Sequence, residues 1–304
     1  MAISRAQLVK ELEPGLNALF GLEYKRYENQ HAEIYTTESS DRAFEEEVML
    51  SGFANANVKV EGSGVAYDEA QETYTARYTH DTLALAFSIT EEAIEDNLYD
   101  RLASRYTKAL ARSMSNAKQV KAVTPLIDGL PSTDGYDSGD GVSLFNTSHT
   151  TVSGTAVKNT LTTQADLNET SLEQALIDIA AFTDERGLRV AARGVKMIIP
   201  SANQFNAERL MKSQGRTGTA DNDINAVASM GMIPQGYRVN NFLTDSDSWY
   251  IMTDVPNGMK MFQRAALKTA MEGDFDTGNV RYKARERYSF GVSDFRGIFG
   301  VEGA

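Results

Sequence analysis

The sequence of 304 residues contains no cysteine and only three histidines, six prolines and one tryptophan. The lack of cysteine excludes disulfides, thiolate nucleophiles and cysteine-based metal sites. The longest apolar run, residues 83–87, is far too short to cross a bilayer. The first residues lack the apolar core of a signal peptide. We therefore expect a soluble protein of the cytoplasm without a membrane partner.

Basic side chains are also scarce, 30 against 42 acidic ones, which gives a net charge of −12 with histidine neutral. Tight binding of nucleic acid needs clustered lysine and arginine to neutralise phosphates, so this balance opposes it as a main function. The length suggests one large or two modest domains, enough to bury a core without disulfides or metals.

The sequence patterns of common enzymes are missing. His31, His80 and His149 are far apart and lack the HxxxH spacing of zinc enzymes, so we expect surface residues and not catalysts. No nucleophile elbow, dinucleotide-binding loop or Walker phosphate loop occurs. Residues 215–219 resemble a phosphate loop but lack its lysine, which favours a merely flexible loop. We predict no catalytic residue and no cofactor.

Three aspartates, Asp134, Asp137 and Asp140, lie close together in a glycine-rich segment. Their carboxylates are of the type that binds calcium, but the alternation and the distal glutamate of an EF-hand are absent. Turn-forming Asp-Gly pairs explain the same residues. We predict no metal site, with a calcium site as the alternative.

One long helix is predicted over residues 90–122, a stretch without proline or glycine. Its first turn is acidic and its last turns are basic, as the helix dipole favours, and Thr90 is the expected N-cap. At 1.5 Å per residue it extends on the order of 50 Å. Its apolar stripe is predicted to consist of Ile94, Leu98, Leu102, Tyr106, Ala109, Leu110, Ser113, Ala117 and Val120.

A long β-hairpin is predicted before this helix, over residues 46–89, because apolar and polar residues alternate there. Residues 68–73 are its predicted polar tip. A hairpin of two strands is only marginally stable alone and has two unpaired edges. It must therefore pack on its own domain or be covered by another copy of the chain. Residues 1–45 present the same two alternatives, as a docked helix pair or as an arm that reaches a neighbour.

The remaining patterns indicate an α+β protein without a regular βαβ repeat. Residues 124–169 are rich in turn-forming residues, and we expect a functional or mobile loop. Capping boxes at 170–173 and 201–204 predict two helices, and 195–199 reads as a buried strand. Further strands are predicted at 237–242, 249–253, 258–263 and 280–292.

The last of these strands carries the most regular charge pattern in the chain. Four basic residues, Arg281, Lys283, Arg285 and Arg287, alternate along one face. Like charges at this spacing repel each other unless they are solvated or matched by acids. The face is either a solvated edge or it meets an acidic segment such as Glu45, Glu46 and Glu47, within the subunit or from a neighbour. We take these acidic and basic residues as the inter-subunit contact candidates.

Several segments together resemble a major capsid protein of tailed bacteriophages. Residues 15–20 (GLNALF) before Tyr24 and residues 42–46 (RAFEE) precede the hairpin and the long helix, as in that family. Residues 140–149 (DGVSLFNTSH) resemble the D-G-x-x-L-F-S-x-x-H stretch of the Mu-like major head subunit family. That family usually has proline next, where this chain has Thr150, so the histidine receives no role. Two later segments, PSANQFNAE and DFRGIFG, are also similar to phage head subunits.

The resemblance implies the Hong Kong 97-like capsid fold. Loop 213–223 would lie near the symmetry axis of a hexamer or pentamer. The implied parts are an N-terminal arm (1–45), an extended hairpin over a neighbouring subunit (46–89), a spine helix of the peripheral domain (90–123), a mostly axial domain (124–265) and C-terminal strands that return to the peripheral domain (266–304).

The implied function is that of a head protein that assembles with itself, through hexamers and pentamers, into an icosahedral shell. The shell would enclose double-stranded DNA without sequence-specific binding, and it would form in the bacterial cytoplasm. Scaffold, portal and decoration proteins are the expected further partners. Two alternatives remain: an encapsulin-like nanocompartment with the same fold, and a soluble enzyme or ligand-binding protein whose site lies in residues 124–169.

Overall fold

A computed structural model describes residues 5–90, 92–93, 99–133, 135–216, 223–274 and 277–304. The α-helices in this part of the chain are α1 (Arg5–Arg26), α2 (Tyr99–Asp128), α3 (Glu169–Ala180), α4 (Gln204–Lys212) and α5 (Ala226–Met230). The strands are β1 (Thr36–Ser39), β2 (Phe44–Leu50), β3 (Glu72–Thr79), β4 (Asp81–Ile89), β5 (His149–Thr150), β6 (Ala156–Val157), β7 (Gly194–Ile199), β8 (Tyr237–Val239), β9 (Trp249–Thr253), β10 (Met259–Gly273), β11 (Val280–Val292) and β12 (Ile298–Val301).

Two four-stranded sheets organise the fold. The first has the order β1-β10-β11-β4 and is covered on one face by α1 and α2. The second has the order β12-β9-β7-β8, and α3 packs against it through Leu176 and Ile179, which lie over Gly194. β2 and β3 form a separate hairpin. The predicted α+β class is confirmed.

The long helix is confirmed, but its predicted C-terminal end is wrong. α2 runs six residues beyond Ala122, to Asp128, and includes Pro125. At the start of the prediction, the Ala93 backbone N–H donates to Thr90 Oγ1 at 3.4 Å, as expected of an N-cap. Residue 91 and residues 94–98 of the prediction lie outside the described residues.

The predicted apolar stripe of this helix is largely wrong. Leu110 is buried, whereas Tyr106, Ala109, Ser113 and Val120 are exposed. The buried face is rotated and includes four polar side chains that a hydrophobic pattern assigns to solvent. They are Thr107, Ser115, Lys118 and Gln119. The last two have buried polar partners from distant parts of the chain, and such pairing permits burial.

The hairpin differs from its prediction in which strands pair and in where the chain turns. β2 pairs with β3, while β4 leaves the hairpin and pairs with β11 in the first sheet. The predicted tip at 68–73 is wrong, because β3 begins at Glu72 and the chain turns near Gly62, which has a positive φ of 81°. The distal segment, residues 51–71, contains no strand. It is tied at its base by the Ala54 N–H, which donates to Asp68 Oδ2 at 2.6 Å.

The loop-rich stretch 124–169 is mostly packed, which corrects the expectation of a mobile loop. Leu144 and Phe145 are fully buried, and Leu161 and Leu167 join the same core. The side-chain amide of Asn159 is buried, and its Nδ2 donates to the Leu144 carbonyl at 2.8 Å. A side chain, and not a neighbouring strand, thus satisfies this buried backbone carbonyl.

The later elements follow the sequence patterns closely. β9 matches its prediction, as does β11, whereas β10 continues to Gly273 because its distal half pairs with β11. The cap of α3 is Asn168, which forms the capping box with Ser171, and not the predicted Thr170. The predicted box at 201–204 makes no side-chain cap, although α4 ends at Lys212 as expected.

Gly300 in β12 tests the packing of this core. An added Cβ would lie 2.5 Å from the Phe145 ring. We expect Gly300→Ala to lower the free energy of unfolding by about 1–3 kcal/mol, as overpacking of a core does. Gly273→Ala is the matched control, since no atom lies within 4 Å of its added Cβ. Urea denaturation that gives equal losses for both variants would contradict this packing.

Candidate assembly surfaces

The distal hairpin exposes an unusual amount of apolar surface. Val58 is 96% exposed, Tyr67 98%, and Val60, Val65 and Phe53 between 61% and 70%. Large exposed apolar patches are typical of surfaces that another molecule covers. The described chain leaves these side chains uncovered, so the hairpin is a candidate contact with a neighbour.

The base of the hairpin is fixed to the first sheet by buried polar contacts. Glu47 of β2 accepts from Lys260 Nζ at 2.5 Å, and it also accepts from the Ser293 hydroxyl. Tyr78 of β3 is hydrogen-bonded to the same Ser293. Burial opposes ionisation of Lys260, but its bonds to Glu47 and Glu38 raise its pKa overall. The hairpin therefore projects from the sheet in a defined direction.

His80 lies at the joint where the hairpin passes into β4. Its Nε2 lies 2.9 Å from the Ser40 hydroxyl and its Nδ1 lies 2.9 Å from the Ser289 hydroxyl. Burial and the nearby Arg287 lower its pKa. The imidazole thus connects the segment before β2, the end of the hairpin and β11 through two hydroxyl contacts.

The N-terminal helix α1 is docked on the subunit at least over its second half. Leu16 and Phe20 are buried in a cluster with Tyr282 of β11 and Leu110 of α2. Tyr24 Oη donates to the Glu286 carboxylate at 3.5 Å. This half of α1 corresponds to the docked alternative of the prediction.

A buried ion pair lies beneath α1. Lys118 Nζ of α2 donates to Glu286 Oε2 at 3.3 Å, with the two side chains 10% and 1% exposed. Burial raises the pKa of Glu286, and Lys118 only partly offsets this effect. Buried pairs of this kind add little net stability, but loss of one partner is costly.

We expect Lys118→Met and Glu286→Leu each to lower the free energy of unfolding by about 3–5 kcal/mol. The double variant should recover most of the loss, because no buried charge is then left unpaired. In Lys118→Met, the remaining stability should be highest below pH 4.5 and should fall as the pH rises through the raised pKa of Glu286. A double variant as unstable as the sum of the two single ones would contradict this pairing.

The predicted basic row lies on the exposed face of β11. Arg281, Lys283 and Arg285 are exposed, whereas Tyr282 and Ala284 between them are buried. This alternation confirms the two predicted faces of the strand. Arg285 stands opposite Lys268 of β10. We call the group of Lys268, Arg281, Lys283, Arg285 and the half-buried Arg287 the basic sheet face.

Glu45, Glu46 and Glu47 do not meet the basic row within the subunit. Glu45 accepts from the Ser40 hydroxyl at 2.6 Å, Glu46 lies 3.8 Å from Arg77, and Glu47 is bound to Lys260. In the row itself, Arg281 pairs with Asp274. Contact between the two groups across subunits stays a prediction.

The three histidines are all buried, which corrects the expectation of surface residues. His149 lies 2.7 Å from Asp140 and 3.1 Å from Asn159, and it stacks on Phe295 with ring centroids 3.8 Å apart. Burial alone would raise the pKa of Asp140, but bonds from His149 and Ser138 lower it overall. His31 is bonded to Gln119, and burial together with the charge of Lys118 lowers its pKa to about 4.

A catalytic or metal site is not apparent in the described residues. Asp140, one of the three calcium candidates, is bonded to His149. Asp137 pairs its backbone with Ser143, and Asp134 lies outside the described residues. Nowhere in the described ranges do three His, Cys, Asp or Glu side chains come together as metal ligands. No described helix is both long and apolar enough to cross a membrane.

A buried cluster around Arg296 was not predicted from sequence. Arg296 Nη2 donates to Glu185 at 2.7 Å, Nη1 to Asp294 at 3.2 Å, and Nε to the Thr183 carbonyl at 2.8 Å. Burial raises the pKa of Asp294, and Arg296 opposes this rise. The sequence did contain one indication of this buried cluster, an Asp-Phe-Arg triplet with two charged residues inside a strongly apolar C-terminal segment.

A family model described as phage capsid protein matches residues 72–301. No curated protein matches the chain. Among solved structures, the capsid of an empty GTA particle is 13% identical, with a TM-score of 0.57 and coverage of 90% of this chain and 89% of that chain.

Two further structures have the same fold. The procapsid of bacteriophage JBD30 is 14% identical, with a TM-score of 0.56 and coverage of 99% of this chain and 77% of that chain. A virus-like particle from Pyrococcus furiosus is 10% identical, with a TM-score of 0.52 and coverage of 94% and 98%. At these identities the structures show the fold alone. With the family match over most of its length, this chain belongs to the phage capsid protein family, and it is a major capsid protein with the Hong Kong 97-like fold of tailed bacteriophages.

Proposed function

We propose that this chain builds an icosahedral head shell by assembling with itself through hexamers and pentamers, around double-stranded DNA. The observation that carries the proposal is the exposed apolar hairpin, in which Val58 and Tyr67 are almost wholly uncovered. A protein designed to stay monomeric would leave such a segment open to aggregation. In a shell, each copy covers the hairpin of another, so assembly removes this surface from water.

The fold suggests how the parts are used in the shell. The arm (1–45), the hairpin (46–89) and the spine helix (90–123) would form the peripheral part with the returning strands (266–304), and residues 124–265 would be mostly axial. The loop 213–223 would lie near the symmetry axis, although residues 217–222 are outside the described part of the chain. A density map that places this loop at the shell rim would contradict the assignment.

We infer a structural role without enzymatic activity. The described pair that most resembles catalytic groups, His149 with Asp140, consists of a fully buried imidazole and a half-buried carboxylate. The net charge of −12 suits a container that should release its DNA, because it opposes tight phosphate binding. Assembly in the bacterial cytoplasm, with scaffold, portal and decoration proteins as partners, completes the proposal.

A nanocompartment that encloses protein cargo is the competing proposal with this fold. The particle from Pyrococcus furiosus has the same fold at 10% identity, so it does not decide between the two. The family match is to phage capsid proteins, and this favours a viral head.

Negative-stain microscopy and sedimentation of the purified full chain test the proposal. We expect closed shells or rings of five and six subunits. A compact monomer at every protein concentration would overturn the proposal. Double-stranded DNA inside particles from the native source would support a viral head, and protein cargo in its place would favour the nanocompartment.

A further inference from the structure

Strand β4 is an open edge of the first sheet. In the part of the chain that the structure describes, it pairs with β11 alone and stands last in the order β1-β10-β11-β4. Residues 82–89, with the sequence TLALAFSI, contain no charged residue, proline or glycine. Soluble proteins usually protect such an edge with a lysine, a proline or a bulge, because its free N–H and C=O groups can pair with another strand. This edge lacks that protection, which indicates that another strand covers it.

An exposed apolar stripe of α2 lies along the same edge. The side chains that the sequence pattern groups on one side of this helix face solvent in the single subunit, and Tyr106 and Val120 are 46% and 47% exposed. The Tyr106 ring centroid lies 5.7 Å from that of Phe87 in β4. Further along the helix, Lys121 forms an ion pair with Asp81 at the start of the strand. The strand edge and the helix stripe therefore form one continuous surface.

These two contacts show that α2 and β4 run antiparallel, with their midpoints at the same level. Over residues 106–121 the helix rises about 22 Å, and over residues 81–87 the strand rises about 20 Å. Ser113 in the middle of the stripe therefore lies level with Leu85 in the middle of the strand. Leu85 alternates onto the helix side of the sheet and is 47% exposed there.

The strand is self-complementary in an antiparallel register centred on Leu85. Residues equally far from Leu85 on its two sides are of the same kind, first small, then large and apolar, then hydroxyl-bearing. The pairs in this register are Leu85 with Leu85, Ala84 with Ala86, Leu83 with Phe87 and Thr82 with Ser88. Apolar pairs and hydroxyl pairs directly opposite each other stabilise antiparallel strands. A second copy of β4 therefore matches this edge.

The stripe of α2 has the same symmetry, centred on Ser113. Its members that are exposed or half-buried follow each other at spacings of three, four, four and three residues, as Tyr106, Ala109, Ser113, Ala117 and Val120. In an antiparallel pair of these helices, Tyr106 would pack on Val120 of the second copy. The three small residues in the middle favour a short distance between the helix axes, which depends on the side chains at the contact.

We propose that two copies of this chain join through β4 and α2 about a two-fold axis beside Leu85 and Ser113. The two four-stranded sheets become one continuous sheet, and the two α2 helices pack antiparallel on one face of it. The basic sheet face lies on the other side and is left uncovered by this contact. The inference rests on the proposed self-assembly. Rings of subunits use contacts between unlike surfaces, whereas this contact between like surfaces can join one ring to the next.

Opposite charges at Leu85 test the axis in the full chain, because a residue beside a two-fold axis meets its own copy. We expect Leu85→Glu and Leu85→Lys each to reduce the yield of sedimenting shells about tenfold, since like charges then lie directly opposite each other. An equimolar mixture of the two variants should return to within about twofold of the unmodified chain. Both unassembled variants should stay folded in urea denaturation, because Leu85 is half exposed.

Val120 provides the matched control, since it is equally exposed but lies away from the axis. In the proposed pairing, it faces Tyr106 and lies about 20 Å from its own copy. Val120→Glu and Val120→Lys should each lower the shell yield, and mixing them should not restore it. A Leu85 mixture with no more shells than either variant alone would overturn the contact, and would indicate a different strand on β4. Equal recovery by the Val120 mixture would also overturn it.

A crosslink provides a second readout. Because the chain has no cysteine, Ser113→Cys introduces one thiol per subunit, which a short bifunctional maleimide can join only to the same residue of another copy. We expect covalent dimers and nothing larger from assembled shells on a denaturing gel. Val120→Cys should remain a single chain, because its thiols would be about 20 Å apart.

The outcomes separate this inference from the proposed function. Ser113→Cys dimers without shells would support the contact and overturn the proposed function. Shells that give no Ser113→Cys dimers would overturn the contact and leave the proposed function standing. A chain that forms neither shells nor dimers would overturn both.

Discussion

Replacing residues 56–66 with a short glycine–serine turn is expected to abolish shell formation while the subunit stays folded. The deleted segment includes Val58, Val60 and Val65, which are 96%, 70% and 69% exposed and contribute little to folding of the single chain. The bond from Ala54 to Asp68 that ties the base of this segment is kept. In a shell, each buried valine would contribute about 1.5 kcal/mol, so every subunit contact loses several kcal/mol.

Two measurements check this expectation. Urea denaturation should give a free energy of unfolding within about 1 kcal/mol of the unmodified subunit, since exposed positions are replaced. Sedimentation should show subunits or small oligomers in place of shells. The control Val58→Ser/Val60→Ser/Val65→Ser keeps the length of the hairpin and should reduce the shell yield through lost apolar contact alone. Normal shells from the shortened chain would contradict a role for the hairpin in assembly.

Arg296→Met is expected to lower the free energy of unfolding by about 3–5 kcal/mol, as much as the loss of either partner of the Lys118–Glu286 pair. The change leaves the carboxylates of Glu185 and Asp294 buried, at 4% and 7% exposure, without their cation. Because burial raises the pKa of Asp294, stability should be regained as the pH falls and lost as it rises through that pKa.

Urea denaturation of the unassembled subunit at neutral and acidic pH measures this loss. Arg238→Met is the matched control, because the Arg238–Glu33 pair is half exposed and should contribute less than about 1 kcal/mol. Adding Glu185→Gln to Arg296→Met should recover part of the stability. Similar losses for Arg296→Met and Arg238→Met would show that the buried cluster is not what holds the C-terminal segment.

Local periodicity accounts for what sequence predicted well. The two faces of β11 follow from the alternation between Arg281, Tyr282, Lys283 and Ala284, because the side-chain period of a strand does not depend on distant partners. The same alternation applies to the three consecutive glutamates of β2. Glu46 points away from Glu45 and Glu47, so three consecutive residues of a strand cannot all meet one row of cations.

Distant pairing accounts for what sequence missed. The buried face of α2 contains Lys118 and Gln119 because Glu286 and His31 meet them there, 168 and 88 residues away along the chain. A prediction from the hydrophobic pattern assigns such residues to the solvent-facing side. The predicted apolar stripe of the helix is therefore rotated away from the face that is actually buried. The burial of His149 likewise depends on Asp140, Asn159 and Phe295, whose joint position only the fold determines.

The family resemblance supplied the expectation that the hairpin lies over a neighbouring subunit, which neither periodicity nor spacing contains. Alternation alone left the hairpin open to packing on its own domain or on a neighbour. The structure shows that residues 44–50 and 72–79 form its arms and that the segment between them exposes its valines. The proposed self-assembly would give this exposed segment a role as a contact between copies.

A cryo-electron microscopy map of the assembled full chain is the most direct test of the central claim. We predict a closed shell with five-fold and six-fold clusters, in which another copy covers the distal hairpin of each subunit. Failure to form any shell, or a shell in which Val58 and Tyr67 stay in solvent beside their own subunit, would contradict the claim.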